Sequence, residues 1–330
     1  MVALLAALVG SLLVAEPMPP SVATPSTNAL PSTGMTNDVV EREFQSILAR
    51  DDAAQAAAAS LITAEDQSKD PLEAPFRVTL RARLDQKFQP VRDAYVDFLL
   101  QHPNHARGHL AFGSFLLDLG DEAEALVQDE KARDLDPSNP AVWNNLGGLY
   151  ARLGRIPEAL TSYEEARRLN PSEAAYAHSL GTLICLFPRE AAAHLHCEEG
   201  QVLTRAVAHY QTALRLDPEN FEYAQDLAET FYGRRPPVPE TAEARLALGQ
   251  QALGAWTNAL ERANLNIQRE GVYLHMARWH LRLKAEKSAL ECLQRVTNNA
   301  LLDLRRELQA QINPPASGNT NTLPSPLRAQ

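Results

Sequence analysis

Pro103, Pro137 and Pro171 are evenly spaced along the chain. Proline breaks or opens a helix, so the same interval twice over points to a repeating unit bounded by helix ends. The stretch between the last two, AVWNNLGGLYARLGRIPEALTSYEEARRLNP (residues 141–171), shows what the unit is. Trp143, Leu146, Gly147 and Tyr150 fall on one face of a 3.6-residue helix. Gly154 and Arg155 supply a turn. Pro157 sits in the first turn of a second helix, where its missing N–H costs nothing. Ala159, Tyr163 and Ala166 then share a face, and Pro171 ends the run. Glycine and alanine recur where two helix axes come close, and the aromatic residues fill the space beside them.

Fixed-period self-similarity marks an array. The proline interval, stepped back from Trp143, gives His109, Phe112, Gly113, Leu116, Ala125, Asp129, Ala132 and Pro137. The same step forward gives Ala177, Leu180, Gly181 and Ile184, and the partner helix follows late, after an insertion, as Ala206, Tyr210, Ala213 and Pro218. A fourth copy has Ala224, Leu227, Ala228 and Phe231, with Ala252, Trp256 and Ala259 delayed by a second insertion. A fifth has Tyr273, Met276, Ala277, His280, Ala289, Leu293 and Val296.

These residues resemble the tetratricopeptide repeat family, whose helix–turn–helix unit of about 34 residues carries the pattern W..LG..Y, A...F..A and P. The 140–173 copy matches at each of those positions, and the 106–139 copy has Asp129 in place of an aromatic residue. The resemblance implies an all-α solenoid, a right-handed superhelix of antiparallel helix pairs with about five repeats, over 106–139, 140–173, 174–220, 221–264 and 270–303 of an array at 106–312. Two of the repeats carry insertions. Residues 37–105 are expected to cap this array as two helical pairs, the second, 72–102, broken near Pro90.

The ends read differently. Residues 1–15 form an apolar run from Val2 to Ala15 of signal-peptide length, short for a membrane span. No Lys or Arg precedes Arg42, so the usual basic region is missing. The reading is export, periplasmic or secreted, with the mature chain beginning near Glu16. An uncleaved N-terminal anchor and a cytoplasmic chain are the alternatives, and no other membrane span is expected. Residues 16–36 and 313–330 are rich in Pro, Ser, Thr and Asn and cannot bury enough apolar area to order themselves. With 41 acidic against 31 basic residues and no basic stripe, a nucleic-acid partner is not expected.

No catalytic constellation is present: no GxSxG, no phosphate-cradling glycine loop, no HExxH. Neither cofactor nor metal is expected. His194, His196 and Cys197 lie close together in the first insertion, near Cys185, but their spacing is no zinc pattern. In an exported chain Cys185 and Cys197 could pair as a disulfide; free cysteines near packed helices are the plainer reading, Cys292 included. Arg234 and Arg235, followed by prolines, form a basic loop in the second insertion.

The resemblance places the first helix of each unit on the concave surface. By register that face carries Arg107, Leu110, Ser114 and Asp118 in the first unit; Asn144, Gly148, Ala151 and Arg152 in the second; His178, Thr182 and Cys185 in the third; Glu222, Gln225, Glu229 and Tyr232 in the fourth; and Leu274, Arg278 and Arg282 in the fifth. From these, Asn144, Arg152, His178, Thr182, Gln225, Glu229 and Tyr232 are the candidate peptide-binding residues. The lysines with which chaperone-binding members of the family clamp a terminal carboxylate are absent. Asn145 occupies the position of the family's asparagine ladder, but the other units have Ala111, Ser179, Asp226 and His275 there, so no ladder is expected. The function expected is a non-enzymatic module binding a protein or peptide. The alternatives are a structural assembly subunit of a bacterial-type envelope complex and an accessory subunit of an enzyme system such as glycosyl transfer.

Overall fold

A computed structural model describes residues 36–66, 73–234 and 241–312. The apolar run, the linker up to residue 35, the tail at 313–330 and the loop residues 235–240 lie outside the described residues. Among the described residues the α-helices follow in order: α1 Thr36–Asp66, α2 Glu73–Gln101, α3 Ala106–Asp118, α4 Glu122–Leu135, α5 Pro140–Arg152, α6 Ile156–Leu169, α7 Ala174–Leu186, α8 Pro188–His194, α9 Glu199–Leu216, α10 Phe221–Glu229, α11 Ala242–Arg262, α12 Asn266–Arg282, α13 Glu286–Gln294 and α14 Leu302–Ile312. Among these residues there is no strand, and no helix is long and apolar enough to cross a membrane. The fold class is an α-solenoid of helix pairs. The helices divide between two units, residues 1–170 and 171–330.

In the first unit α1 packs on α2, α3 on α4 and α5 on α6, each pair also touching the next. Where two helical pairs were expected before residue 105, the chain forms one: α1 and α2 are each continuous. No glycine or proline interrupts residues 37–66. Asp51, mid-helix, sends its carboxylate to accept from the Tyr95 hydroxyl at 2.9 Å instead of ending the helix. Pro90 lies inside α2. Phe88, Val91 and Tyr95 are buried on both sides of it, so tertiary packing holds the helix through a residue that removes one of its hydrogen bonds. Phe44, Tyr95, Phe98, Phe112 and Phe115 make the core between α1, α2 and α3, with Tyr95 and Phe112 stacked at 5.3 Å.

The turns explain the period. After α3, Gly120 adopts φ +79°, and after α5, Gly154 adopts φ +72°. In each, the following N–H reaches back across the turn, Asp121 to Leu116 O at 2.9 Å and Arg155 to Tyr150 O at 2.8 Å, the hydrogen bonds that close a helix with a left-handed residue. The next helix begins at once, so the two helices run antiparallel. Between α5 and α6 a Cβ on Gly147 would lie 2.6 Å from the Tyr163 ring, which is why the position is glycine. Between α3 and α4 the partner is Asp129, whose Oδ1 would be 2.2 Å from a Cβ on Gly113. Asp129 is 1 % exposed, that oxygen has no hydrogen-bond partner, and burial pushes its carboxyl well above the usual range.

In the second unit α7 pairs with α9, α10 with α11 and α12 with α13. The first insertion is the short helix α8 and a turn in which His196 has φ +49°; Cys185, Cys197 and Cys292 are all free thiols. The second insertion lies largely outside the described residues, but its Arg234 is seated over the Phe231 ring at 4.2 Å. Ala224, Ala228, Phe231, Ala252, Trp256, Ala259, Val272 and Trp279 form the core of the α10–α12 region. Helix α14 closes the last pair by burying Leu308 with Leu274 and Leu293.

Candidate functional site

The face formed by the first helices of the second unit, α7, α10 and α12, is built by their register. On α7, His178, Thr182 and Cys185 recur at helical spacing. His178 Nε2 lies 2.7 Å from Asp226 Oδ2 on α10, and its ring stands 4.7 Å from Tyr223 and 5.6 Å from Tyr210. The Tyr210 hydroxyl, from α9, donates to Thr182 Oγ1 at 3.1 Å and also hydrogen-bonds with Cys185. Burial pushes the Cys185 thiol up to about 11, so it stays protonated and a poor nucleophile.

On α10, Glu222, Gln225, Asp226 and Glu229 line the same side. Gln225 Nε2 donates to Glu229 Oε1 at 3.2 Å. Burial, reinforced by repulsion from Asp226, pushes the Glu229 carboxyl up to about 7, against the pull of Gln225 and Arg278. Tyr232 follows in a 3₁₀ turn. Its hydroxyl lies 2.9 Å from His275 Nδ1 on α12, and its ring stacks on Trp279 at 5.3 Å. The His275 ring stacks on Trp256 at 4.1 Å, and burial drives it down to about 3, so it stays neutral. Arg282 is exposed and lies over both Tyr232, at 4.9 Å, and Trp279, at 4.7 Å. Arg278 hydrogen-bonds with Tyr232.

Of the candidate residues, His178, Thr182, Gln225, Glu229 and Tyr232 thus share one face of the second unit. Asn144 and Arg152 belong to the first unit, where Arg152 Nε donates to Glu122 at 2.7 Å and Asn144 Oδ1 is buried without a hydrogen-bond partner. One expectation needs correction, and one position does more than the sequence showed. Leu274 is 3 % exposed and belongs to the core, because α14 packs over it. The ladder position is not idle either: although no asparagine ladder forms, Asn145 donates to Ser114 Oγ at 3.1 Å, Asp226 pairs with His178 and His275 with Tyr232. Each of these three side chains reaches back to the first helix of the preceding pair or the turn that extends it. Sequence reasoning passed over Asp226, His275 and Tyr210 because it looked for one residue type at the ladder position; the register itself would have located the first two.

Compared with known proteins, residues 140–173 match the family model described as tetratricopeptide repeat. No curated protein matches the chain. Among solved structures, pilF of Pseudomonas aeruginosa is 16% identical, with 80% of this chain and 99% of that one covered at a TM-score of 0.50. YrrB, described as a TPR protein with an unusual peptide-binding site, is 16% identical, with 66% of this chain and 98% of that one covered at a TM-score of 0.49. The likeness to pilF is one of fold.

Proposed function

We propose that this tetratricopeptide repeat chain is a non-enzymatic interaction module that binds a segment of a partner protein on the α7–α10–α12 face. The observation that supports this reading is a wall of polar and aromatic side chains held in place by cross-helix bonds while its charges stay available. His178–Asp226 and Tyr232–His275 fix the side chains from helix to helix, so little rotamer freedom remains to be lost on binding. Glu222 and Arg282 remain exposed, offering an acid and a base to an extended peptide. Amide and hydroxyl groups at Gln225, Thr182 and Tyr232 add hydrogen-bonding capacity along its length. The protonated Cys185 thiol is a poor nucleophile, and His275, its basicity suppressed by burial, is a poor base, in keeping with a binding role. The apolar run at residues 2–15 supports placing this module outside the cytoplasm.

The test is capture. The full chain serves as bait in an extract of its native cells and in the medium, beside a Gln225→Ala/Arg278→Ala double variant. The reading expects a partner retained by the parent and weakened at least about tenfold in the variant, the loss of buried hydrogen bonds being on the order of 1–3 kcal/mol each. Equal retention by both would remove the face from the account.

A further inference from the structure

We propose that His178, Asp226 and Glu222 form a binding site for a divalent transition-metal ion of the zinc type. Their ligating atoms, one imidazole nitrogen and two carboxylate oxygens, all lie within 4.8 Å of one another. Glu222 and Asp226 are one helical turn apart, hence on one side of α10, and His178 meets them from α7. The imidazole is preset: Tyr223 and Tyr210 flank the ring and Nε2 points at Asp226 Oδ2. Among the described residues neither Glu222 nor Asp226 is ion-paired with an arginine or lysine. The two carboxylates bring the negative charge that a divalent ion would cancel. The His178 side chain is 11 % exposed and that of Asp226 24 %, with Glu222 exposed beyond them, so the site has a fixed inner ligand, an outer ligand free to swing in, and an open approach from solvent.

The nitrogen–oxygen donor set selects the ion class. Calcium and magnesium prefer all-oxygen cages, whereas imidazole with carboxylates suits zinc and its neighbours. In the metal-free chain a proton bridges Nε2 and Oδ2. The ion takes that proton's place as the proton itself passes to Nδ1, leaving His178 neutral, and the two ligand atoms separate to about 3.4 Å, the spacing of ligands about 2.1 Å from a tetrahedral centre. A side-chain rotation of the partly exposed Asp226 provides that opening. Three protein ligands leave the fourth position for water. The site does not depend on the peptide-binding reading.

The experiment uses the untagged full chain, stripped with chelator and titrated with zinc chloride in a calorimeter, with cobalt(II) absorption as a second readout. Glu222→Gln, Asp226→Asn and His178→Ala are compared with a His194→Ala/His196→Ala/Cys197→Ser variant of the first insertion. The expected result is one ion per chain. Glu222→Gln and Asp226→Asn each weaken uptake at least about tenfold, His178→Ala abolishes it, and the insertion variant binds like the parent. Should circular dichroism show that His178→Ala has unfolded, the exposed Glu222→Gln and the isosteric Asp226→Asn decide. No uptake by the parent, parent-like uptake by both carboxylate variants, or loss in the insertion variant overturns the proposal.

Discussion

The first-helix faces of the two units use the same register positions for different ends. In the first unit the charged residues there are spoken for: Arg107 pairs with Glu41, Asp118 accepts from Gln55 and Arg152 pairs with Glu122. In the second unit the bonds run between neutral or single-charge partners, and Glu222, Glu229 and Arg282 form no ion pair with one another among the described residues. The same helix pair can therefore serve as a packed scaffold or present a surface, depending on whether its neighbours supply counter-charges. Packing differs in parallel. A Cβ on Gly147 would meet the Tyr163 ring at 2.6 Å, but one on Gly181 would stand 3.2 Å from Tyr210, so the regular pair is the tighter one.

That contrast gives the largest expected effect. Gly147→Leu drives a side chain into the Tyr163 ring and should cost about 3 kcal/mol; Gly181→Ala, asking its neighbour to give by a few tenths of an ångström, should cost under about 1 kcal/mol. Denaturant melts of the two variants check the order, and equal midpoints would erase the difference in packing.

Next comes pH. Burial raises the carboxyls of Glu229 to about 7 and of Asp51 to about 6, and lifts that of Asp129 well above its ordinary value. Between the unfolded value near 4 and these folded values the native chain holds more protons than the unfolded one, so stability is fullest in mild acid and falls as pH rises towards 7. Glu229→Gln should remove one share of that slope, on the order of 2 kcal/mol, with Asp129→Asn removing another from the first unit. Chemical melts at pH 4.5 and 7.5 measure it; an unchanged slope in Glu229→Gln would place that carboxylate in water instead.

Lys284 offers a smaller test. It holds φ +59° after α12, the position that Gly120 and Gly154 occupy in the regular pairs, with the same back-bond from Ala285 to His280 O at 2.9 Å. Lys284→Gly should stabilise by about 1 kcal/mol, read as a raised Tm. Smallest of all, Arg107→Ala should cost about 0.5 kcal/mol, since the Arg107 and Glu41 side chains are 45 % and 44 % exposed.

Much of this was legible because the repeat imposes it. The turns at Gly120 and Gly154, the close approaches at Gly113 and Gly147 and the buried alanines Ala125 and Ala159 follow from the repeat offset, and Ala206 and Ala252 from the same pattern displaced by the insertions. The N-terminal hairpin was harder: Pro90 looks like a break, and only the aromatic core around Tyr95 explains why α2 runs on. For the candidate face, register placed His178, Gln225 and Glu229 on first helices but could not say which would find partners. The His178–Asp226 contact joins positions separated by 48 residues, with the first insertion between them shifting the register. Leu274 left the face only because α14, which lies beyond the repeat pattern, covers it.

The central claim is that the partner is held by the second unit's first-helix face. Hydrogen exchange of the full chain with and without its captured partner tests it most directly. Slowed exchange concentrated in residues 174–186, 221–232 and 266–282, with the first-unit helices at 106–118 and 140–152 unchanged, is the result expected. Protection confined to those first-unit helices, or to the second helices of the pairs, would contradict it.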